Sequence, residues 1–152
     1  MIDRTARKQL ASCLRQLLAR QITNDEFEWA LPRCRSHDGV IAPIESRAWT
    51  FYSDMHEHRI DRELARAVRE DVARWILFLQ HDLEYRWPRG PWDCFPIHNW
   101  PLNLLTLGWW EWRKARQVRQ WEKHGDLGVW PFLTRSELSA ACAQPKFLIG
   151  SS

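Results

Sequence analysis

One cysteine and histidine pair in the sequence has a spacing that could support nucleophilic catalysis. Cys94 and His98 are four residues apart, and an imidazole beside a thiol can take its proton and leave a reactive thiolate. The pair lies among prolines and aromatic residues, where a cysteine is commonly an unreactive part of the packing. An enzyme that uses Cys94 and His98 is therefore one alternative interpretation.

Three histidines form a second set with chemical potential, in this case for metal binding. His56 and His58 flank Glu57, and His81 or Asp82 would join them as a third ligand if the third and fourth helices were antiparallel neighbours. Side chains two residues apart on a helix point to different sides, and the four-residue spacing of helical zinc motifs does not occur here. We expect no metal and no cofactor, and these histidines remain a second enzymatic alternative.

Tryptophan is the most unusual component of the chain. There are 11 tryptophans in 152 residues, and six of them lie between Trp87 and Trp112 together with four of the eight prolines. An indole ring buries a large apolar area and usually keeps its N–H near a polar partner. This density indicates either an aromatic core or an aromatic binding surface.

The leading functional interpretation is a small non-enzymatic protein-interaction module, of the adaptor or inhibitor type. Aromatic and arginine side chains are enriched at interface hot spots, and both occur around residues 84–112. In a simpler alternative, hydrogen bonds among the acidic and arginine residues at 82–86 only fix the end of a helix. The candidate binding residues are Asp82, Glu84, Tyr85, Arg86, Trp87, Arg89, Trp92 and Trp100.

The charge distribution supports a different alternative, which is nucleic-acid binding. Of the 22 basic residues 18 are arginine, and segments 4–20 and 109–124 carry five basic residues each with few acidic ones. Two such helices on one side would attract phosphates, and exposed tryptophans could stack on bases. The net charge of only +3 and the pI of about 8.8 are low for a dedicated nucleic-acid-binding domain.

Several observations bear on location. The four cysteines have no CxxC spacing, and the first residues resemble the start of an amphipathic helix rather than a signal peptide. The longest run without Asp, Glu, Lys or Arg, from Cys94 to Trp110, is too short and too interrupted by proline to span a bilayer. We expect a cytoplasmic protein with reduced thiols.

The stretch FLQHDLEYRWP, from Phe78 to Pro88, resembles small bacterial proteins, and this resemblance implies no activity. The oligomeric state stays open.

Hydrophobic periodicity predicts an all-α fold, as a single compact domain over residues 1–152 with five or six helices. The segment at about 87–101, rich in tryptophan and proline, is expected to be a long ordered loop. A short hairpin inside 92–132 is the competing possibility. The predicted helices cover about 4–20, 23–31, 43–58, 61–86, 102–124 and 134–144.

Local signals define several helix ends. Asp3 and Asp61 are expected as N-caps, Gly125 as a C-cap, and the pairs Thr23/Glu26 and Thr134/Glu137 as capping boxes. In the first helix the basic residues are expected mostly on the outer faces. These residues are Arg4, Arg7, Lys8, Arg15 and Arg20.

Overall fold

The computed structural model of the chain describes residues 1–31, 36–53, 55–88, 116, 119, 121 and 123–144. Six α-helices have both ends within these described residues. None of these described residues lies in a strand, so the predicted all-α class is confirmed. The predicted loop beyond residue 88 lies outside the described residues. The helices are α1 (Arg4–Leu18), α2 (Asn24–Ala30), α3 (Ile41–Ala48), α4 (Arg62–Ala67), α5 (Arg69–Leu79) and α6 (Arg135–Ala143).

Helix α1 is the central element, since it packs against α2, α3 and α5. Its N-cap is Asp3, whose carboxylate accepts a hydrogen bond from the Ala6 N–H at 3.0 Å, as predicted. The helix ends at Leu18 rather than Arg20, because Arg20 adopts a positive φ of 56°. The Arg20 and Gln21 N–H groups then donate to the carbonyls of Leu17 and Gln16, which closes the last turn.

Helix α2 is short but firmly held. Thr23 and Glu26 form the predicted capping box, in which each side chain accepts a hydrogen bond from the other residue's backbone N–H. On its inner side Phe27 is fully buried and meets the Tyr52 ring edge-on, with centroids 6.1 Å apart. The side chain of Asn24, also buried, ties the helix to the segment after α3.

The prediction for the third helix was wrong at its C-terminal end. Helix α3 ends at Ala48, a 3-10 turn follows over Trp49–Phe51, and Tyr52 is extended. The Asn24 side chain donates to the Ser53 and His56 carbonyls and accepts from the His58 N–H. These tertiary hydrogen bonds take the backbone groups that a continued helix would have used.

The fourth predicted helix was correct at its N-cap and wrong at its end. Asp61 caps α4 through the Glu63 N–H at 2.7 Å, and a turn at Val68 separates α4 from α5. Helix α5 then ends at Leu79, seven residues before the predicted end at Arg86. Residues 82–88 are non-helical, and their side chains alternate between partly or fully buried and exposed positions.

The C-terminal part of the described chain follows its predicted signals except for half of the second capping box. Arg116, Arg119, Trp121, Lys123 and His124 are helical, and Gly125 follows directly, as expected for a C-cap. A 3-10 turn over Leu127–Val129 leads to α6. Thr134 caps α6 through the Glu137 N–H, whereas the Glu137 carboxylate accepts from Leu133 N–H instead of from Thr134. Within 116–131, the described part of the predicted hairpin region contains no strand.

A single cluster of buried apolar side chains connects these elements. Leu10, Leu14 and Leu17 of α1 are almost fully buried, and each contributes about 1.5–3 kcal/mol on burial. Trp130 is 1% exposed and packs edge-on against Trp75 of α5, with ring centroids 5.6 Å apart. The core therefore includes residues from α1 through Ala141 of α6.

Candidate functional site

Five of the predicted binding residues, from Asp82 to Trp87, lie in the non-helical segment 82–88. Asp82 forms an exposed ion pair with Arg4, in which Arg4 Nε lies 2.8 Å from Asp82 Oδ1. Arg86 pairs with Glu137 of α6, and the Arg86 carbonyl contacts His124 Nε2 at 2.8 Å. These two charged residues thus join the segment to α1 and α6. The simpler alternative, a network within residues 82–86 that fixes a helix end, differs from this arrangement because the partners come from elsewhere in the chain and the segment is not helical.

Trp87 belongs to the core and not to an exposed aromatic surface. Its side chain is 5% exposed, and its indole N–H donates to the carbonyls of Pro131 and Phe132 at 3.1 and 3.2 Å. Its ring lies 5.0 Å from the Trp121 ring, centroid to centroid. Tyr85 is half-buried and accepts a hydrogen bond from Trp130 Nε1 at 3.3 Å. Of the described candidates, Asp82, Glu84 and Arg86 are exposed.

The other candidate residues from the sequence are either outside the described residues or not arranged for metal binding. Arg89, Trp92 and Trp100 lie outside the described residues, as does the Cys94 and His98 pair. His56 and His58 are not on a helix, and their rings are 4.8 Å apart. No group of three or more His, Cys, Asp or Glu residues that could hold a metal ion occurs in the part of the chain that the structure describes.

His81 is buried and is part of the packing between helices. Its Nδ1 lies 2.8 Å from the Leu77 carbonyl of α5, and its Nε2 lies 3.1 Å from the Gln144 carbonyl after α6. Both ring nitrogens therefore contact backbone oxygens of the chain. The ring holds the ends of α5 and α6 together.

The largest departure from the predicted charge distribution is Arg7. This side chain is 1% exposed, and it forms a double hydrogen bond to the Asp38 carboxylate at 2.6 and 3.1 Å. Arg7 Nη1 also donates to the His81 carbonyl at 2.7 Å. Arg20 is half-buried, and its Nε donates to the Ile60 carbonyl. The expectation that the basic residues of the first helix lie on outer faces is thus wrong for Arg7 and only partly right for Arg20.

The Arg7 partner belongs to a small acidic network at the start of α1. Burial raises the pKa of Asp38, but hydrogen bonds from Arg7 and from the Asp3 and Val40 N–H groups outweigh it, so that the pKa lies below its ordinary value. The Ala6 N–H and the Ser36 hydroxyl likewise lower the pKa of Asp3. Sequence reasoning did not select Asp38, since a loop aspartate before glycine is typical of an ordinary turn.

The exposed face of α2 was also missed. Trp29 lies on this helix with 82% of its surface exposed, while Asn24 and Phe27 of the same helix are buried. Met55, in the segment that Asn24 holds, is 84% exposed. The spacing contained the signal, because Trp29 is two residues from Phe27 on the same helix and must face the opposite side from it.

Comparison with known proteins adds no functional information. No protein-family model matches the chain, and neither a curated protein nor a solved structure gives a match. Among the described residues, none of the helices has the length and apolar character needed to cross a bilayer.

Proposed function

We propose that this chain is a small non-enzymatic protein-interaction module, of the adaptor or inhibitor type, and that the exposed face of α2 is part of its binding surface. The proposal rests on one observation: Trp29 is 82% exposed, although Asn24 and Phe27 of the same helix are buried. Tryptophan is among the residues most enriched at interface hot spots. An indole left in water keeps a large apolar area available for a partner to bury.

The rigidity of α2 supports a binding role for Trp29. The capping box fixes its first turn, Phe27 anchors its inner side, and Asn24 fastens it to residues 53–58. A partner that packs on Trp29 therefore meets a helix that is already ordered. Little backbone entropy has to be lost on binding, which favours affinity.

The proposed surface differs from the one that the sequence predicts around 84–112. Asp82 and Arg86 are engaged in ion pairs within the chain, and Trp87 is buried. Arg89, Trp92 and Trp100 remain candidate binding residues.

The test is quantitative affinity capture from extracts of the source cells, with the full-length chain as bait. We expect at least one protein to be captured by the wild-type chain and to be reduced about fivefold or more by Trp29→Ala, the loss expected at a hot spot of about 1 kcal/mol or more. The matched control is Arg66→Ala, which changes an exposed residue of α4. Unchanged thermal unfolding of both variants shows that the fold is intact.

An identical set of captured proteins for wild type, Trp29→Ala and Arg66→Ala would contradict the role of α2. When Trp29→Ala does reduce the capture of a protein, that protein is purified and its affinity for the same three chains is measured by calorimetry. This measurement gives the contribution of Trp29 to the binding free energy.

A further inference from the structure

The exposed face of α2 carries a specific combination of charge and aromatic surface. Asp25 and Glu26, both exposed, lie four and three residues before Trp29, and positions so spaced are neighbours on a helix. Helical side chains lean toward the N-terminus, which directs a side chain at position 29 toward the turn that carries these carboxylates. The whole helix, NDEFEWA, contains three acidic residues and no basic residue.

Helix α5 of the same chain provides an internal comparison. It begins with the same type of acidic pair, Glu70 and Asp71, and the next turn carries Arg74. The Arg74 guanidinium lies 3.2 Å from the Asp71 carboxylate. The acidic pair of α5 is therefore paired with an arginine of the same helix. In α2 the position equivalent to Arg74 is occupied by Trp29, an aromatic ring with a negative face.

From this comparison we infer that the α2 face binds a cationic side chain, an arginine above all, presented by a partner protein. A guanidinium placed on the Trp29 indole would gain cation–π attraction from the ring and charge attraction from Asp25 and Glu26. Within the described ranges, none of the acidic residues of α2 forms an ion pair with the chain's own Lys or Arg. Glu26 uses one oxygen in the capping box and keeps the other available.

This inference rests on the proposed interaction role of α2 and adds the chemistry of the partner. The experiment uses three short synthetic peptides in which Ala alternates with Arg, Gln or Glu. Each is titrated into the ¹⁵N-labelled full-length chain, and binding is followed by the Trp29 indole N–H signal, which is identified by its loss in Trp29→Phe. We expect the Arg peptide to shift this signal in a saturable way, and the Gln and Glu peptides to leave it unchanged.

Charge variants test the role of the carboxylates. In the double variant Asp25→Asn/Glu26→Gln the Arg peptide should bind about two- to fivefold more weakly, while the amide side chain introduced by Glu26→Gln can still form the capping box. The matched control is Glu70→Gln/Asp71→Asn, which neutralises the corresponding pair of α5 and should leave binding unchanged.

Each other outcome contradicts the inference. Equal response to the Arg and Gln peptides would show that the surface binds by apolar contact and does not select charge. The proposed interaction role of α2 would then be kept, and the preference for arginine would be lost. No shift of the Trp29 signal with any peptide would also overturn the cationic preference, while affinity capture decides the interaction role separately. Equal binding by the two double variants would show that Asp25 and Glu26 do not select the ligand.

Discussion

At the scale of single residues, the structure separates charged side chains that hold the fold from those that remain available. Arg7 and Asp38 form a buried pair whose hydrogen-bonding groups are well satisfied, since the Asp38 carboxylate also accepts from the Asp3 N–H at 3.0 Å. Arg4 and Asp82 form a pair of similar chemistry at the surface. The two pairs therefore allow the effect of burial on an ion pair to be measured within one protein.

We predict that Arg7→Met destabilises the fold by about 3–5 kcal/mol, because it leaves the Asp38 carboxylate buried without its cation. Arg4→Met is the control and should leave the free energy of unfolding unchanged, since exposed ion pairs contribute little. Urea denaturation of both variants measures the difference. Adding Asp38→Asn to Arg7→Met should recover part of the loss, and a double variant as unstable as the sum of its parts would argue against a direct pair.

The lowered pKa of Asp38 predicts a defined pH dependence of stability. The folded-state pKa lies below the ordinary value of 3.8, so the unfolded chain binds this proton more readily than the folded chain does. The contribution of Asp38 is therefore complete above the unfolded-state value and is lost as the pH falls through the lower folded-state pKa. Urea denaturation between about pH 6 and pH 2.5 should show a smaller acid-induced loss for Asp38→Asn than for wild type. Equal losses in the two proteins would refute this assignment, while Asp3 and Asp126, whose pKa values are also lowered, account for a residual loss.

At the scale of elements, the N-terminal ends of four helices could be predicted from the sequence, and several C-terminal ends could not. Asp3, Thr23, Asp61 and Thr134 all cap helices as their local sequence indicates. A cap depends on residues within one turn, so it can be recognised locally. The early ends of α3 and α5 are accompanied instead by hydrogen bonds from Asn24 and Arg7, which are distant in sequence and bind the backbone of the segment that follows each helix.

Segment 82–88 shows how a local signal was overlooked. Leu83, Tyr85 and Trp87 point inward, and the residues between them are exposed. This alternation over two-residue steps is typical of extended chain. Leu83 is four residues after Leu79, so it continues the helical spacing of apolar residues in α5. This spacing concealed the change from helical to two-residue periodicity after the end of the helix.

We predict that Asn24→Ala weakens the connection between α2 and residues 53–58. The substitution removes three hydrogen bonds from the Asn24 side chain, at a cost of about 1–3 kcal/mol for buried groups left unsatisfied. Amide hydrogen exchange should increase at His58 and its neighbours more than in α5. Asn24→Asp keeps the acceptor for the His58 N–H but places a buried carboxylate oxygen against the Ser53 and His56 carbonyls, so its effect should be at least as large as that of Asn24→Ala; protection equal to wild type in both variants would disprove the connection.

Gly125 follows the end of a helix, as predicted for a C-cap, but the structure gives a different physical reason for glycine at this position. A Cβ at this position would lie 2.8 Å from the Leu133 carbonyl oxygen and 3.0 Å from the Trp87 ring, so the close approach of these groups requires glycine. We predict that Gly125→Ala costs about 1–3 kcal/mol in thermal or urea unfolding, as overpacking does. Gly39→Ala is the control, since its Cβ would meet Tyr85 at an ordinary 3.6 Å. Equal stability of the two variants would show that the surroundings of Gly125 can adjust.

At the scale of the whole molecule, Trp130 connects parts of the chain that are far apart in sequence. Its ring meets Trp75 of α5 and Tyr85 of segment 82–88, and the Arg47 guanidinium of α3 lies 4.5 Å from its centroid. The candidate surface on α2 is supported by the same continuous core, through Phe27. Long-range packing of this kind depends on the complete fold, so the sequence indicated many buried aromatics without indicating which would meet.

The connections of Trp130 lead to a prediction about cooperativity. Trp130→Ala removes a ring that is 1% exposed and should cost about 3–5 kcal/mol, whereas Trp29→Ala makes the same chemical change at a ring that is 82% exposed and should have little effect on unfolding. If residues 1–152 fold as the predicted single domain, the loss at Trp130 must reach every element that shares the core, because a two-state unit unfolds as a whole. Hydrogen exchange through global unfolding should therefore accelerate by the same factor in α1, which does not adjoin Trp130 in sequence, and in α6. Faster exchange confined to α6 and its neighbours would instead divide the chain into two independently unfolding parts, and the C-terminal part would then be a separate unit docked on α5.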